Sequence, residues 1–240
     1  MLELYLDLHS PPCRSVYIFA KKNNVDFEFK HVQLFKGEQL SGQYTRVNPL
    51  RLVPALKDGD FTLAESIAIL LYLSRKYNTP DHWYPVDLQK RAQVDEYLSW
   101  QHTAVRACGS EVFWRKAMTP ILLGTEADPE KMAAAIKEMN GALGQFEAKF
   151  LQDKPFIVGD EISLADLVAI VALLQPVASG VDIFKDRPKL DAWRERVETA
   201  LGTELFQEAH KAILNVTKMK REPLEPHVAE RMKSKLHLFK

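Results

Sequence analysis

Strand and helix patterns alternate through the first eighty residues of the chain. Apolar and polar residues alternate along residues 2–8, as in a half-buried β-strand, and residues 27–34 predict a second strand. Between them, Ser10 followed by two prolines predicts a helix start, because a hydroxyl cap and then proline suit the first helical turn. Basic residues at Lys21 and Lys22 suit the end of that helix.

Three further elements complete this region. Residues 37–45 predict a short, irregular helix, and residues 65–77 predict a longer one. A hairpin is predicted between them, because Asp58-Gly59-Asp60 separates two short apolar segments and tolerates the positive φ of a tight turn. The predicted order is therefore βαβ-α-ββα, an α/β domain of thioredoxin-like type.

Strand patterns vanish after residue 86. Turn residues and two prolines in residues 78–85 indicate a linker, so we predict a first domain over residues 1–79, a linker at 80–86 and an all-helical domain over 87–240. Ser163 and Asp166 predict a capping box at the start of one helix. Helical periodicity covers residues 88–115, 129–150, 163–174, 189–200 and 204–216.

Composition narrows the function classes. The 240 residues are 46% hydrophobic and 27% charged, and 32 basic residues balance 32 acidic ones, so no global field favours nucleic acid or a membrane. No secretory signal is expected, and the apolar runs are too short to span a bilayer. Two cysteines suggest no disulfide framework, and the seven histidines lack metal-ligand spacing. We expect a cytoplasmic protein without a metal.

Ser10 lies where the first strand turns into a helix. Unpaired N–H groups and the helix dipole favour negative charge at such a position. A thiol that accepts a hydrogen bond from the Ser10 hydroxyl would ionise below its ordinary pKa of about 8.5. The alternative interpretation is a plain helix cap.

Two later features fit the same interpretation. If the Val53–Pro54 bond is cis, it would expose the backbone N–H and C=O of Val53 to a strand-like peptide ligand. The alternative is a trans proline that starts an edge strand. Glu65 and Ser66 open a predicted helix, where a hydroxyl and free N–H groups suit a carboxylate and Glu65 suits an ammonium group. The alternative is an ordinary helix with a charged first turn, which would show the same sequence pattern.

Around these positions, the sequence over about residues 2–215 resembles the cytosolic glutathione transferases of the theta class, theta 1-type enzymes most of all. The resemblance is specific because several separate motifs match in order. They include Ser10-x-Pro12-Cys13-Arg14, Val47-Asn48-Pro49, Val53-Pro54-Ala55-Leu56-Lys57-Asp58-Gly59, Glu65-Ser66, Trp100-Gln101-His102 and Ser163-Leu164-Ala165-Asp166-Leu167.

The resemblance implies a role for each matching position. Ser10 would activate the thiol of glutathione, which serves as co-substrate, with no permanently bound cofactor. Arg106 would add positive charge near the sulfur. Val53 would bind the glutathione backbone, and Glu65 and Ser66 would bind its γ-glutamyl end. The family also implies a homodimer.

The second substrate would be a small hydrophobic electrophile. The resemblance implies that Trp114 lines the electrophile pocket, and it suggests alkyl or aralkyl halides and epoxides, with a possible peroxidase activity toward organic hydroperoxides. The chain departs from close relatives at Gln39, where they carry histidine, and at Leu52, where they carry lysine. Arg51 is then the nearest cation. We therefore expect weaker glutathione affinity.

Several alternatives remain open. In the tail, Val228, Met232, Leu236 and Phe239 follow helical spacing, which suits either a helix that covers the active-site mouth or a frayed end. The protein could also be a non-catalytic ligand-binding or scaffold protein. A third possibility is a thiol-disulfide reductase working through Cys13, although Cys13 is expected to be a packing residue. His9, next to Ser10, is either a base or a surface histidine at a strand end.

Overall fold

A computed structural model describes residues 1–218 and 224–236. Its first part is a four-stranded mixed sheet in the order β2-β1-β3-β4. Strand β2 runs parallel to β1, whereas β3 is antiparallel to both β1 and β4. The strands are β1 Leu2–Leu6, β2 Glu28–His31, β3 Ala55–Asp58 and β4 Phe61–Ala64.

Helices α1 Pro11–Lys22, α2 Gly42–Val47 and α3 Ser66–Lys76 complete this region, so the predicted order βαβ-α-ββα is confirmed. The irregular segment before α2 contains two 3₁₀ turns joined at Gly37, whose φ of 73° lies in the left-handed region that glycine adopts freely. The hydroxyl of Ser41 caps α2 by accepting the Tyr44 N–H at 3.1 Å.

The capping role predicted for the Ser10 hydroxyl is wrong. Ser10 is the N-cap residue of α1 only through its backbone carbonyl, which accepts the Arg14 N–H at 3.1 Å, while its side chain makes no capping hydrogen bond. Pro11 and Pro12 follow it and have no N–H to offer, so this helix start presents fewer free donors than a regular one. The Ser10 hydroxyl therefore takes no part in capping the helix, and its recorded contact on α1 is with the Cys13 thiol.

The rest of the chain is helical, as predicted. Beyond β4, the described residues contain no further strand element, only an isolated bridge between Phe156 and Gly159. Two π-helical turns follow α5 and α7. The helices are α4 Leu88–Trp100, α5 Val105–Phe113, α6 Thr119–Leu123, α7 Pro129–Gln145, α8 Leu164–Ala178, α9 Pro188–Leu201, α10 Thr203–Leu214 and α11 Pro226–Leu236.

The helical periodicity over residues 88–115 corresponds to two helices, α4 and α5, rather than to one. The chain leaves helical geometry between α4 and α5, where Ala104 has ψ of −108° and the Arg106 N–H bonds to the Gln101 carbonyl at 3.0 Å. The Thr103 hydroxyl contacts the Trp100 carbonyl at 3.4 Å, a local bond that competes with the helix backbone. Apolar residues keep their helical phase across this break, so periodicity alone does not reveal it.

Helix α8 is the central helix of the second part of the chain. It packs against α1, α4, α5 and α10, and it is buried on every side. The predicted capping box at its start is confirmed. Asp166 accepts the Ser163 N–H at 3.0 Å, the Ile157 N–H at 2.9 Å and Trp193 Nε1 at 2.9 Å. This fully buried carboxylate therefore joins α8 to the preceding loop and to α9.

Helix α11 is docked on the rest of the protein. Val228 is fully buried and Met232 nearly so, and α11 contacts α6. Gly37 lies directly against this helix, because a Cβ there would overlap the Val228 side chain. Within the tail, Pro226–Leu236 is thus a packed helix rather than a frayed end. Phe239, the last position of the predicted apolar face, lies outside the described residues.

Candidate functional site

A cavity of about 270 Å³ lies between the sheet and the helices. Residues from the turns of the first domain form one side of it, and residues of α5, α10 and α11 form the other. All eight residues singled out in the sequence line this cavity. They are Ser10, Gln39, Leu52, Val53, Glu65, Ser66, Arg106 and Trp114.

The turn that carries Ser10 is held from several directions. The Ser10 N–H donates to the Asp7 carbonyl at 2.9 Å. Beneath the turn, the fully buried guanidinium of Arg14 donates to the Leu8 carbonyl at 2.8 Å and to Gln175 Oε1 on α8 at 2.9 Å. Arg14 therefore joins this turn to the central helix, although the motif alone gave it no role.

Val53 and Pro54 form the cis peptide bond that the sequence suggested. Within residues 1–218 and 224–236, neither the N–H nor the C=O of Val53 has a hydrogen-bond partner. The preceding carbonyl of Leu52 is held by the Tyr44 hydroxyl at 2.6 Å and by Asn48 Nδ2 at 2.7 Å. The segment is thus fixed, while the two polar groups of Val53 remain available to a ligand.

Glu65 adopts an uncommon backbone conformation. Its φ of 68° is positive, a backbone conformation that residues other than glycine and asparagine rarely adopt. Its carbonyl still accepts the first helical hydrogen bond of α3, from the Ile69 N–H at 2.9 Å. Glu65 is exposed beside the cavity and Ser66 is buried within its wall. Residues in such conformations cluster at functional sites.

Arg106 contributes a cation from the helical side. Its Nη1 donates to Nδ1 of His102 at 2.8 Å, so that nitrogen is unprotonated. Burial lowers the pKa of His102, and the Arg106 charge lowers it further. Burial also lowers the pKa of Arg106, which the Glu65 charge opposes. The Arg106 guanidinium and the Glu65 carboxylate therefore bring opposite charges to the same cavity.

Gln39 and Leu52 are the two positions at which the resemblance led us to expect weaker glutathione binding. Gln39 is buried and its Oε1 has no hydrogen-bond partner among the described residues. Leu52 is about half exposed, with 45% of its surface accessible. Arg51, the nearest cation in sequence, also lines the cavity. Neither Gln39 nor Leu52 carries a charge that could attract a carboxylate.

The opposite side of the cavity is apolar. Trp114 and Phe113 stand beside further side chains that sequence reasoning missed, and His9 and Met232, which the sequence had singled out, also line the cavity. Nothing in the local pattern showed that the missed side chains face a cavity. They are Phe35, Met118, Ile213 and Val216, together with Ser110, Gln175 and Arg231.

Cys13 packs in the core, as predicted. It is fully buried on α1, and burial raises the pKa of its thiol to about 12. A thiol in that environment stays protonated at neutral pH and cannot act as the attacking group of a reductase. Cys108 is half-buried, and burial raises the pKa of its thiol as well. Both cysteines are free.

The parts of the chain that the structure describes hold no group of three or more histidine, cysteine, aspartate or glutamate side chains placed to bind a metal ion. In the same parts of the chain, no helix is both long and apolar enough to cross a membrane.

Comparison with known families agrees with this architecture. The family model for the glutathione S-transferase N-terminal domain matches residues 3–75, and the model for the C-terminal domain matches residues 105–200. The fold and the two matches define the protein class as a glutathione transferase, built from a thioredoxin-like domain and a helical domain.

Individual relatives narrow the class. Glutathione S-transferase theta-3 of Mus musculus is 56% identical over 97% of this chain and 96% of its own length. Glutathione S-transferase theta-1 of Homo sapiens is 55% identical, covering 96% of this chain and 95% of its own. The chain therefore belongs to the theta class of the glutathione S-transferase family.

Solved structures give the same result. Human glutathione-S-transferase T1-1 in its apo form superposes with a TM-score of 0.95 at 53% identity, covering 100% of this chain and 99% of its own. A human theta-class transferase in complex with the glutathione conjugate of 1-menaphthyl sulfate superposes with a TM-score of 0.95 at 46% identity, covering 100% of this chain and 99% of its own.

Proposed function

We propose that this theta-class transferase conjugates glutathione to small hydrophobic electrophiles after the Ser10 hydroxyl has stabilised the glutathione thiolate. The observation that carries the proposal is the single cavity that brings Ser10, a polar wall and an apolar wall together. The Ser10 hydroxyl can donate to a sulfur anion, because it caps no backbone N–H of its own helix.

Glutathione would lie along the first domain. The unpartnered N–H and C=O of Val53 suit an antiparallel, strand-like pairing with its cysteine residue. Glu65 would pair with the γ-glutamyl ammonium group and Ser66 with the γ-glutamyl carboxylate. Gln39 and Leu52 would border the glycine end. Arg106 would add positive charge near the sulfur. A human theta-2 structure described as a complex with glutathione supports this assignment of the co-substrate.

The electrophile would bind against Trp114 and the neighbouring apolar side chains. With an alkyl or aralkyl halide, the thiolate attacks carbon and the halide leaves. Positioning of the two substrates and ionisation of the thiol therefore account for most of the rate acceleration. Epoxides and organic hydroperoxides are further candidates, and peroxide reduction would finish with a second glutathione. The aralkyl conjugate described for a human relative supports this class of electrophile.

The test is glutathione conjugation by wild type and Ser10→Ala with benzyl chloride, styrene oxide and cumene hydroperoxide. Removing a hydrogen-bond donor to a developing anion costs about 10²–10³-fold in turnover, and we expect a loss of that size for Ser10→Ala with glutathione binding retained. Ser99→Ala is the matched control, because Ser99 is an exposed serine of α4 outside the cavity.

Two other results would redirect the interpretation. Turnover that survives in Ser10→Ala would assign thiol activation to Arg106 and the start of α1. Absence of turnover on every substrate by the wild type, despite glutathione binding, would favour the scaffold protein.

We further propose that the protein is a homodimer of the cytoplasm. Large apolar side chains are exposed on the single chain at Phe61 on the edge strand β4, at Val86 just before α4 and at Leu88, where α4 begins. Such exposure is expected of a surface that pairs with a second copy. Two free cysteines suit a reducing compartment. Sedimentation equilibrium would measure the mass, and a monomer at micromolar concentration would contradict the dimer.

A further inference from the structure

His9 lies in the turn between β1 and α1, directly before Ser10, and its ring is held by Asp7. Nδ1 of His9 is 2.7 Å from Asp7 Oδ1, which also accepts the His9 N–H at 2.9 Å. The other carboxylate oxygen of Asp7 accepts the Leu34 N–H at 2.9 Å. The Asp7 side chain is therefore occupied on both oxygens and holds the imidazole in one orientation.

The ionisation of Asp7 decides where the proton between Asp7 and His9 lies. Burial alone would raise the pKa of Asp7, but the hydrogen bonds from His9 and Leu34 lower it overall. An ionised carboxylate only accepts hydrogen bonds, so Nδ1 of His9 carries the proton that they share. The second nitrogen, Nε2, has no hydrogen-bond partner within the described part of the chain.

The ring of His9 also has a defined place in the cavity. It contacts Phe35 edge to face, with ring centroids 5.1 Å apart and an interplanar angle of 89°. His9 lines the same cavity as Ser10 and Trp114. Because Asp7 holds Nδ1, Nε2 is the nitrogen left for a ligand at this place.

We propose that His9 is a further catalytic residue, which protonates the oxygen that leaves when glutathione opens an epoxide or cleaves a hydroperoxide. This proposal rests on the proposed function. In its imidazolium form, His9 carries its second proton on Nε2, because the proton on Nδ1 is held by Asp7. An imidazolium that lines the cavity together with Ser10 and Trp114 is a general acid for the oxygen that accumulates negative charge.

The epoxide step balances without another reactant. The thiol proton passes to water as the thiolate forms beside Ser10. Sulfur then forms a bond to an epoxide carbon while the carbon–oxygen bond breaks, and Nε2–H of His9 passes its proton to the alkoxide oxygen. Water returns a proton to His9. In the hydroperoxide step, sulfur bonds to the terminal oxygen while the oxygen–oxygen bond breaks, His9 protonates the departing alkoxide, and a second glutathione reduces the sulfenic acid to glutathione disulfide and water. A halide leaves as a stable anion and needs no proton, so the contribution of His9 depends on the leaving group.

The experiment compares two leaving groups, an epoxide oxygen and a chloride, in the same three proteins. The ratio of kcat/KM for styrene oxide to kcat/KM for benzyl chloride is measured in wild type, His9→Gln and His31→Gln. General acid catalysis contributes about 10²–10⁴-fold, so we expect the ratio to fall by about 100-fold or more in His9→Gln. His31 is exposed on β2 outside the cavity, and its variant should keep the wild-type ratio.

Benzyl chloride turnover also reports that the variant is folded and that glutathione is activated. Equal losses on both substrates, or no loss on styrene oxide, would overturn the role of His9. So would a wild type that turns over benzyl chloride but neither styrene oxide nor cumene hydroperoxide. A wild type inactive on benzyl chloride would refute the proposed function itself, and with it this proposal.

A second measurement needs no variant. If His9 transfers a proton in the rate-limiting step, wild-type turnover of styrene oxide slows in D₂O more than turnover of benzyl chloride does. The same D₂O effect on both substrates would contradict the proposal even if His9→Gln failed to fold.

Discussion

The two walls of the cavity are built in different ways. The wall from the first domain consists of polar groups at the ends of strands and helices, such as the backbone of Val53 and the side chains of Ser10 and Ser66. The wall from the helical domain consists of bulky apolar side chains on helix faces, chiefly Phe113 and Trp114. The first wall suits one ligand of fixed chemistry, and the second suits many ligands of similar size.

This difference has a physical basis. Hydrogen bonds require donor and acceptor atoms within a few tenths of an ångström of their ideal positions, so the polar wall is held by a second layer of bonds, such as those from Tyr44 and Asn48 to the Leu52 carbonyl. Apolar contact depends on volume and is not directional. We therefore expect changes in the polar wall to act on every electrophile and changes in the apolar wall to act selectively.

The largest effect expected after Ser10→Ala is that of Glu65→Gln in the polar wall. A hydrogen bond to a charged group contributes about 1.5–3 kcal/mol, which corresponds to roughly 10- to 150-fold in binding. We expect the KM for glutathione to rise by that factor with every electrophile and kcat to change little. Glu204→Gln, which alters an exposed glutamate of α10, is the control. An unchanged KM would separate Glu65 from glutathione binding.

Trp114→Ala tests the apolar wall. Differences in apolar contact are worth about 1–3 kcal/mol, or about 5- to 150-fold in specificity. We expect kcat/KM for benzyl chloride to fall by a factor in this range and kcat/KM for iodoethane to fall less, because a small alkyl group covers less of the ring. The KM for glutathione should stay the same. A uniform loss on both halides would remove the distinction between the walls.

Val228→Asp tests whether α11 belongs to the apolar wall. A charge cannot be buried at this fully enclosed position without a partner, so α11 should detach and take Met232 out of the cavity wall. We expect cleavage by proteases after α10 and a several-fold rise in the KM for benzyl chloride. Ser234→Asp places the same charge on the exposed side of α11 and should change neither value.

The smallest effect is expected where the polar wall lacks charge. A partly exposed ion pair contributes about 0.2–1 kcal/mol, so Leu52→Lys combined with Gln39→His should lower the KM for glutathione by up to about five-fold. Initial rates at fixed electrophile concentration would measure the change. A KM that fails to fall in the double variant would contradict the idea that these two positions weaken glutathione binding.

Most elements of the fold were predictable because their signals are local. Period-two alternation, Asp58-Gly59 and the capping residues Ser163 and Asp166 act over a few neighbouring positions, and each produced its predicted element. The break between α4 and α5 was not predictable, because Gln101 and Arg106 stay compatible with a continuous apolar face. The Ser10 hydroxyl was wrongly predicted to cap α1 for a similar reason, since a capping residue in the sequence does not show which atoms bond.

The element order, the family and the residues of the polar wall were predictable from the amino-acid sequence, since short motifs specify all of them. The helix faces that form the apolar wall, the packing of α11 against Gly37 and the orientation of the His9 ring by Asp7 became known only from the folded structure. The physical reason is that an apolar side chain has the same local pattern whether it meets the core or a ligand. Contacts between distant segments decide between the two.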